Sequence, residues 1–334
     1  MKLNPALLAT DAPPIPEAKR WLDGLTFPDD RKLLNVSQAA PTEPPVQALR
    51  DFIAEAALND PTAHLYGPVL GLPELREELA QQTAQFYGGT ITADNVAITA
   101  GCNQAFVAAM TALAGHKDEV LLPTPWYFNH KMWLDMSGVT TIPVPCDTNM
   151  VPDPEIAARR ITDKTRAIVL VTPNNPTGAE YPGDVLDAFH DLAREHGIAL
   201  VLDETYRDFH SQSGAPHELF ADPDWDDTLI HLYSFSKAYR LTGHRVGAVI
   251  AAPHLLRQIE KFQDTAVICP NMLGQKAALW GMQNLRQWVA SERDEILSRR
   301  AAVAQNLGAI PGWEIRGLGA YFAFVTHPFD ASSE

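Results

Sequence analysis

The sequence predicts an α/β protein: a mainly parallel sheet sandwiched by helices, joined to a second, smaller α+β part. Three observations predict it. Residues 167–171 and 198–202 are continuous apolar runs of strand length, the pattern of strands buried on both faces. Other strand-like segments alternate with segments whose apolar residues recur at helical spacing, which favours parallel strands joined by crossover helices. Residue types that carry chemistry fall just after the strand-like segments, where open α/β sheets gather their ligands.

The elements follow in order. Pro13, Pro14, Pro16, Pro28, Pro41, Pro44 and Pro45 make the first 45 residues an extended arm with one short helix over 17–22. Leu72, Leu75, Leu79 and Phe86 fall on one face of a helix. A strand is predicted over 96–99, then a helix carrying Phe106, Met110 and Leu113, a strand over 119–122 and a helix over 129–136. The apolar run 167–171 is followed by a helix that aligns Val185, Phe189 and Leu192, then by the second apolar run 198–202. Strands over 228–233 and 246–251 complete the set. Beyond Leu255 the pattern turns helical over 256–265, 273–282 and 285–307, before a small hairpin from 313–315 and 321–325. The expected division is a large domain over 46–270, with the arm 1–45 and residues 271–334 forming the smaller part.

Composition excludes several function classes. With 26 Lys plus Arg against 41 Asp plus Glu the net charge is -15, the wrong sign for a nucleic-acid or anionic-membrane partner. The three cysteines, Cys102, Cys146 and Cys269, show neither a disulfide framework nor a metal-ligand spacing, so free thiols and no metal are expected. Residues 1–16 lack a signal-peptide pattern and no apolar run approaches membrane-spanning length, so a cytoplasmic protein is expected.

The most informative segment is Ser234-Phe235-Ser236-Lys237, followed eight residues after the lysine by Arg245-Val246-Gly247. A lone lysine after a strand is usually a solvated residue. Here Ser234 offers a hydroxyl and Arg245 a planar fork of donors suited to a phosphate. A lysine beside two phosphate-gripping groups is what pyridoxal 5′-phosphate requires.

That pattern resembles the cofactor-lysine signature of the class I/II aminotransferases, a family of fold type I. The resemblance implies a seven-stranded sheet, Lys237 holding the cofactor as a Schiff base and serving as the catalytic lysine, and Ser234 and Arg245 on the phosphate. Other segments match the same family. Asp203, at the end of a buried run, stands where the family pairs an aspartate with the pyridine nitrogen, and Tyr206 where a tyrosine reaches the 3-oxygen. Asn175, directly before Pro176, stands where an asparagine donates to the 3-oxygen, and its bond to Pro176 is a candidate cis peptide.

Gly101, Cys102 and Asn103 match the phosphate loop at a helix start, with Cys102 replacing a second small residue. Tyr127 stands where the family lays an aromatic ring flat on the pyridine. Tyr66 matches a tyrosine that reaches the phosphate of the neighbouring subunit, which implies a homodimer. Ala39 replaces a glycine whose backbone meets the substrate carboxylate; Ala39 and Asn175 are the implied substrate-binding residues. The resemblance covers almost the whole chain up to Val325.

The activity it implies is amino transfer from an L-amino acid to a 2-oxo acid, by a ping-pong mechanism through pyridoxamine phosphate. A carbon–sulfur β-lyase shares every residue named so far and is the alternative. A non-catalytic cofactor-sensing regulator would need an attached DNA-binding module that this acidic chain does not show. The family also places a carboxylate-clamping arginine in a C-terminal segment, and the last arginine here is Arg316, so a further C-terminal segment is expected. His130, Arg240 and His244 are polar candidates near the site loops, each read as a surface residue or a structural hydrogen-bonder. Trp126, Tyr127, Phe128 and Trp133 form an aromatic stretch compatible with either a bulky apolar substrate or core packing.

Overall fold

The computed structural model describes residues 1–330. Its centre is a seven-stranded sheet built from β1 (Val96–Thr99), β2 (Glu119–Thr124), β3 (Thr140–Pro145), β4 (Thr165–Val171), β5 (Ala199–Asp203), β6 (Leu229–Ser234) and β7 (Gly247–Ile250). The strand order is β1-β7-β6-β5-β4-β2-β3. β7 runs antiparallel to both of its neighbours, and every other pairing is parallel. A small antiparallel hairpin, β8 (Glu314–Gly319) and β9 (Phe322–Thr326), stands apart from it. Among the described residues, no helix is long and apolar enough to cross a membrane.

The sheet is buried on both faces because its strands are apolar at successive positions. In β4, Ile168 and Leu170 enter one helical layer while Ala167 and Val169 enter the other. β5 repeats the division, with Leu200 and Leu202 on the first side and Val201 on the second. Truncating a side chain such as Leu170 to alanine would cost about 2–5 kcal/mol through lost transfer energy and the cavity left behind.

β3 was not expected from sequence. Among the described residues it pairs only with β2, and its burial is patchy. Pro143 and Pro145 disguise it, since proline cannot donate to a ladder and sits in sheets only where that donor is not needed, as at an edge. The arm also differs from expectation. It holds two short helices, Pro5–Ala9 and Pro14–Arg20, and the second starts ahead of the expected 17–22. Proline suits the first helical positions because its missing N–H is unpaired there anyway. A helix over Gln47–Asn59 went unread. Phe86, placed on a core face from its spacing, is exposed; the helix Pro73–Tyr87 buries Leu75, Leu79 and Tyr87 instead.

The topology decides where the site lies. β1, β2, β4, β5 and β6 all point their carboxyl ends to the same edge of the sheet. β7 begins at that edge because it runs the other way, so Gly247 pairs with both Thr99 and Ser234. Segments far apart in sequence, Gly101 to Asn103, Asp203 to Tyr206, Ser234 to Lys237 and Arg245, are thereby brought together.

Candidate active site

Lys237 follows β6 in the one-turn helix Phe235–Ala238, which Ser234 caps by accepting from the Ser236 N–H at 3.3 Å. Its Nζ donates to the Ala39 carbonyl of the arm at 2.7 Å and lies 5.4 Å from the centre of the Tyr206 ring. Burial, together with the Arg245 guanidinium, brings the amine down from its ordinary 10.5 to about 8. Such an amine is neutral in about a tenth of molecules at pH 7, several hundred times the share of an ordinary lysine, and a neutral amine is a nucleophile and a base.

The lysine opens into a cavity of about 720 Å³, lined among others by Cys102, Asn103, Tyr127, Asn175, Asp203, Tyr206, Ser234, Lys237 and Arg245. An adjoining cavity of about 690 Å³ shares Tyr127, Asn175, Tyr206 and Lys237 and adds Ala39. Almost every sequence-predicted site residue is therefore in one place. Two of them line neither cavity: Tyr66, which is 79 % exposed, and Gly101, which lies against the Arg245 guanidinium.

Asp203, at the end of β5, is buried at the base of the site. Its Oδ1 accepts from the Thr205 N–H at 2.9 Å and faces the Cys102 thiol at 3.6 Å. Its Oδ2 lies 3.4 Å from His130 Nε2, which is close but out of line for a hydrogen bond. Burial pushes this carboxyl up, but the His130 ring and the Thr205 donors outweigh it, so its pKa lies below the ordinary 3.8 and the group is anionic.

At the other end, the Arg245 guanidinium donates to Ser236 Oγ at 3.4 Å and to the Thr242 carbonyl at 3.1 Å. It lies against Gly101, whose φ is +84°. A Cβ on Gly101 would sit 2.2 Å from Arg245 Nη2, and one on Gly247 would sit 2.6 Å from the Cys102 nitrogen. Gly101 caps the helix Cys102–Leu113; its carbonyl takes the Gln104 N–H at 3.1 Å, while the N–H groups of Cys102 and Asn103 have no partner within the helix. Guanidinium, hydroxyls and free N–H groups together form an anion cradle.

The loop after β4 explains why Asn175 is free for the cavity. Its neighbour Asn174 is buried and builds the turn, with Oδ1 accepting from the Thr177 N–H at 3.1 Å and the Thr177 hydroxyl at 2.8 Å, and Nδ2 donating to Tyr181 at 3.0 Å. The bond from Asn175 to Pro176 is cis, as read from sequence. The Tyr127 hydroxyl donates to Asn103 Oδ1 at 3.1 Å, and burial pushes its pKa up to about 12.

Two polar candidates take definite places, and further contributors went unassigned. His130 is neither exposed nor a made hydrogen bond: it is buried, stacked on Phe106 with ring centres 3.8 Å apart, beside Asp203. Its place one turn after Tyr127 was the available signal. Arg240 bridges Glu43 of the arm at 2.8 Å and Glu292 at 2.5 Å, so it pairs with carboxylates of the chain itself. Ser236 and Thr205 line the cavity beside the residues that were named. Tyr321 and Phe322, at the β8–β9 turn, wall the adjoining cavity.

The family described as aminotransferase class I and II matches residues 31–331. This chain belongs to that family. An aspartate aminotransferase of Pyrococcus horikoshii is 29 % identical over 81 % of this chain and 70 % of its own length. The aromatic aminotransferase ISS1 of Arabidopsis thaliana is 28 % identical over 98 % of this chain and 82 % of its own. The solved aspartate aminotransferase from Thermus thermophilus with maleate superposes with a TM-score of 0.85 at 26 % identity, covering 96 % of this chain and 84 % of that one.

As a class I and II aminotransferase, the chain is a pyridoxal-phosphate enzyme that moves an amino group from an amino acid to a 2-oxo acid. The cavity fits that cofactor on its own terms. It offers a buried anion for a ring nitrogen, an anion cradle that a side chain on Gly101 would fill, and between them a lysine with a lowered pKa.

Proposed function

We propose that this aminotransferase works in two half-reactions at the one cavity, by a ping-pong scheme, with Lys237 as the residue that carries the cofactor and moves the proton. The observation that carries this reading is the Lys237 amine, brought down to about 8 in a cavity whose floor is the anionic Asp203. Bound pyridoxal phosphate supplies an aldehyde that takes up the amino group and a ring that draws electrons from the substrate's Cα.

The chain's own groups do the rest. Asp203 would hold the ring nitrogen protonated, and Asn175 and Tyr206 would bind the 3-oxygen. Arg245, Ser234 and the N–H groups of Cys102 and Asn103 would hold the phosphate, with Tyr127 against the ring. The Lys237 Nζ, freed by the incoming amine, would take the proton from Cα. Its bond to the Ala39 carbonyl would keep it near the arm, where the Ala39 backbone would meet the substrate carboxylate.

The relatives named above carry the names of aspartate and aromatic aminotransferases. Ile15, Val36, Trp126, Phe128, Tyr321 and Phe322 line the adjoining cavity, and this apolar lining favours an aromatic or large apolar amino donor. The reading includes a cytoplasmic homodimer in which Tyr66 serves the neighbouring subunit's phosphate site; the exposure of Tyr66 supports it. It also keeps the division into a large part, 46–270, and a smaller one from 1–45 and 271–334. The separate cluster of Ile296, Ala320 and Phe322 on Tyr206 and Phe209 supports a second part, although Ala277 and Ala278 pack in the main core.

The test is a single half-reaction. With cofactor bound and no acceptor present, phenylalanine should release one equivalent of its 2-oxo acid per site, faster than aspartate does, and then stop. Continued release of pyruvate from a cysteine conjugate, with no acceptor, would replace this reading with the β-lyase. Lys237→Ala should abolish turnover.

A further inference from the structure

The loop after the 3-10 turn Pro61–His64 has an unusual combination of properties. Its aromatic side chain, Tyr66, is 79 % exposed, and Leu65 beside it is 63 % exposed. The backbone that follows is nevertheless fixed at successive points. The Gly67 N–H donates to Cys269 Sγ at 3.3 Å, and the Val69 carbonyl accepts from Gln263 Nε2 at 2.9 Å. The Leu70 carbonyl accepts from the Ile98 N–H of β1 at 2.9 Å, and the Leu72 N–H donates to Gln275 Oε1 at 2.7 Å. Inside the loop, the Gly71 N–H closes a turn onto the Pro68 carbonyl at 2.9 Å.

The two amides that hold it are unusual in their own right. Gln263 and Gln275 are both 0 % exposed, and glutamine is seldom fully buried. Gln275 spends its other end on the Pro270 carbonyl at 2.9 Å, so it ties two backbone segments together. The glycines leave no slack. A Cβ on Gly71, whose φ is +96°, would sit 2.5 Å from Ile98 and 2.8 Å from Gln275 Oε1, and one on Gly67 would sit 2.2 Å from Met272 Sδ. Ile268, a β-branched residue at φ +67°, holds an uncommon conformation in the same neighbourhood. An exposed side chain on a backbone this constrained makes sense where its position matters to something outside its own chain.

Resting on the reading that Tyr66 serves the neighbouring subunit, we infer that Gln275 and Gln263 are positioning residues acting in trans. They form a rigid platform that presents the Tyr66 hydroxyl to the partner's phosphate site. They touch neither substrate nor cofactor of their own subunit: neither lines the cavities around Lys237. Their effect should therefore appear in the other subunit's site.

The experiment is subunit complementation with two readouts, activity and the dissociation constant for pyridoxal phosphate by spectral titration. Gln275→Leu homodimers should bind the cofactor several-fold more weakly than the wild type, the loss of a buried hydrogen bond or two corresponding to roughly five- to tenfold. Lys237→Ala homodimers should be inactive. Co-assembled with Gln275→Leu subunits, they should restore activity and tight cofactor binding in the one site that has both Lys237 and an intact partner platform.

Wild-type cofactor affinity in Gln275→Leu homodimers overturns the proposal. So does impairment that Lys237→Ala subunits fail to rescue, because Gln275 would then act within its own subunit. Tyr66→Phe subunits run in parallel separate the two ideas. Rescue of Tyr66→Phe without rescue of Gln275→Leu removes the platform and keeps the trans tyrosine; rescue of neither removes both. Gln263→Met, which deletes only the bond to Val69, takes the place of Gln275→Leu should that variant not fold.

Discussion

The Cys102 thiol and the Asp203 carboxylate lie 3.6 Å apart at the base of the site, and both are buried. The relationship works in both directions. Burial and the Asp203 charge push the thiol's pKa well above its ordinary 9.0, so it stays protonated and serves as a donor to the carboxylate. In cofactor-free protein, Cys102 should therefore be alkylated slowly at pH 8. Asp203→Asn should speed that alkylation, since it removes the charge that disfavours the thiolate. Mass-spectrometric rates for the Cys102 peptide check this, and equal rates in the two proteins would refute it.

Gly101 carries a sharper prediction, because two independent constraints meet there. Its φ of +84° disfavours any side chain, and the Arg245 guanidinium occupies the space a Cβ would need, 2.2 Å away. Gly101→Ala should keep the fold, since the guanidinium can swing toward the cavity. It should lose the anion cradle, with the cofactor's dissociation constant rising on the order of tenfold or more for one displaced charged hydrogen bond. Titration with pyridoxal phosphate reads this directly, alongside circular dichroism to confirm an intact sheet.

Most of this site was legible in the sequence for a physical reason. Parallel strands end at one edge, so each motif after a buried run had to face the others, and the fixed spacing from Lys237 to Arg245 matched the turn from β6 into β7. What was hidden depended on packing or on pairing partners. β3 hid behind Pro143 and Pro145, which are tolerated by its position at the sheet edge, a position that sequence does not reveal. His130 read as an ordinary polar residue until Phe106 and Asp203 closed around it. Glu204 has no role legible in the sequence, because its partners Tyr87, His217 and His231 come from three distant segments.

Those partners make Glu204 the strongest stability prediction. Its Oε2 takes the Tyr87 hydroxyl at 2.5 Å, His217 Nε2 at 3.2 Å and His231 Nε2 at 2.8 Å, and the side chain is wholly buried. Glu204→Ala leaves these groups without their acceptor and should cost about 3–5 kcal/mol. Denaturant midpoints measure that loss.

The pH dependence of the same cluster follows from two shifts. Burial pushes Glu204 up, but His217 and His231 outweigh it and hold the carboxyl well below its ordinary 4.5. Burial holds His231 below its ordinary 6.5. In both cases the unfolded chain binds protons more readily than the folded one, so acid destabilises. Stability should decline as pH falls through 6.5 and more steeply below 4.5, and the second slope should flatten in Glu204→Ala. A second slope unchanged in that variant would mean other carboxylates carry it.

Lys237 has the opposite window. Its amine falls from the ordinary 10.5 to about 8 in the folded protein, so between those values the unfolded chain holds the proton that the folded chain has lost. Stability of the cofactor-free protein should therefore rise with pH across that interval through this group. Several buried tyrosines, Tyr87, Tyr206 and Tyr233, have pKa values raised by burial and oppose the trend above pH 10. Subtracting the profile of Lys237→Met cancels them, because they are common to both proteins. The difference should be flat below pH 8, move in favour of the wild type between 8 and 10.5, and level above that. The same proton governs cofactor loading, since only the neutral amine attacks an aldehyde. The loading rate, followed by absorbance, should climb to about pH 8 and then level. A rate that kept climbing to pH 10 would show an ordinary lysine, and would remove the burial and the Arg245 charge as the cause of its reactivity.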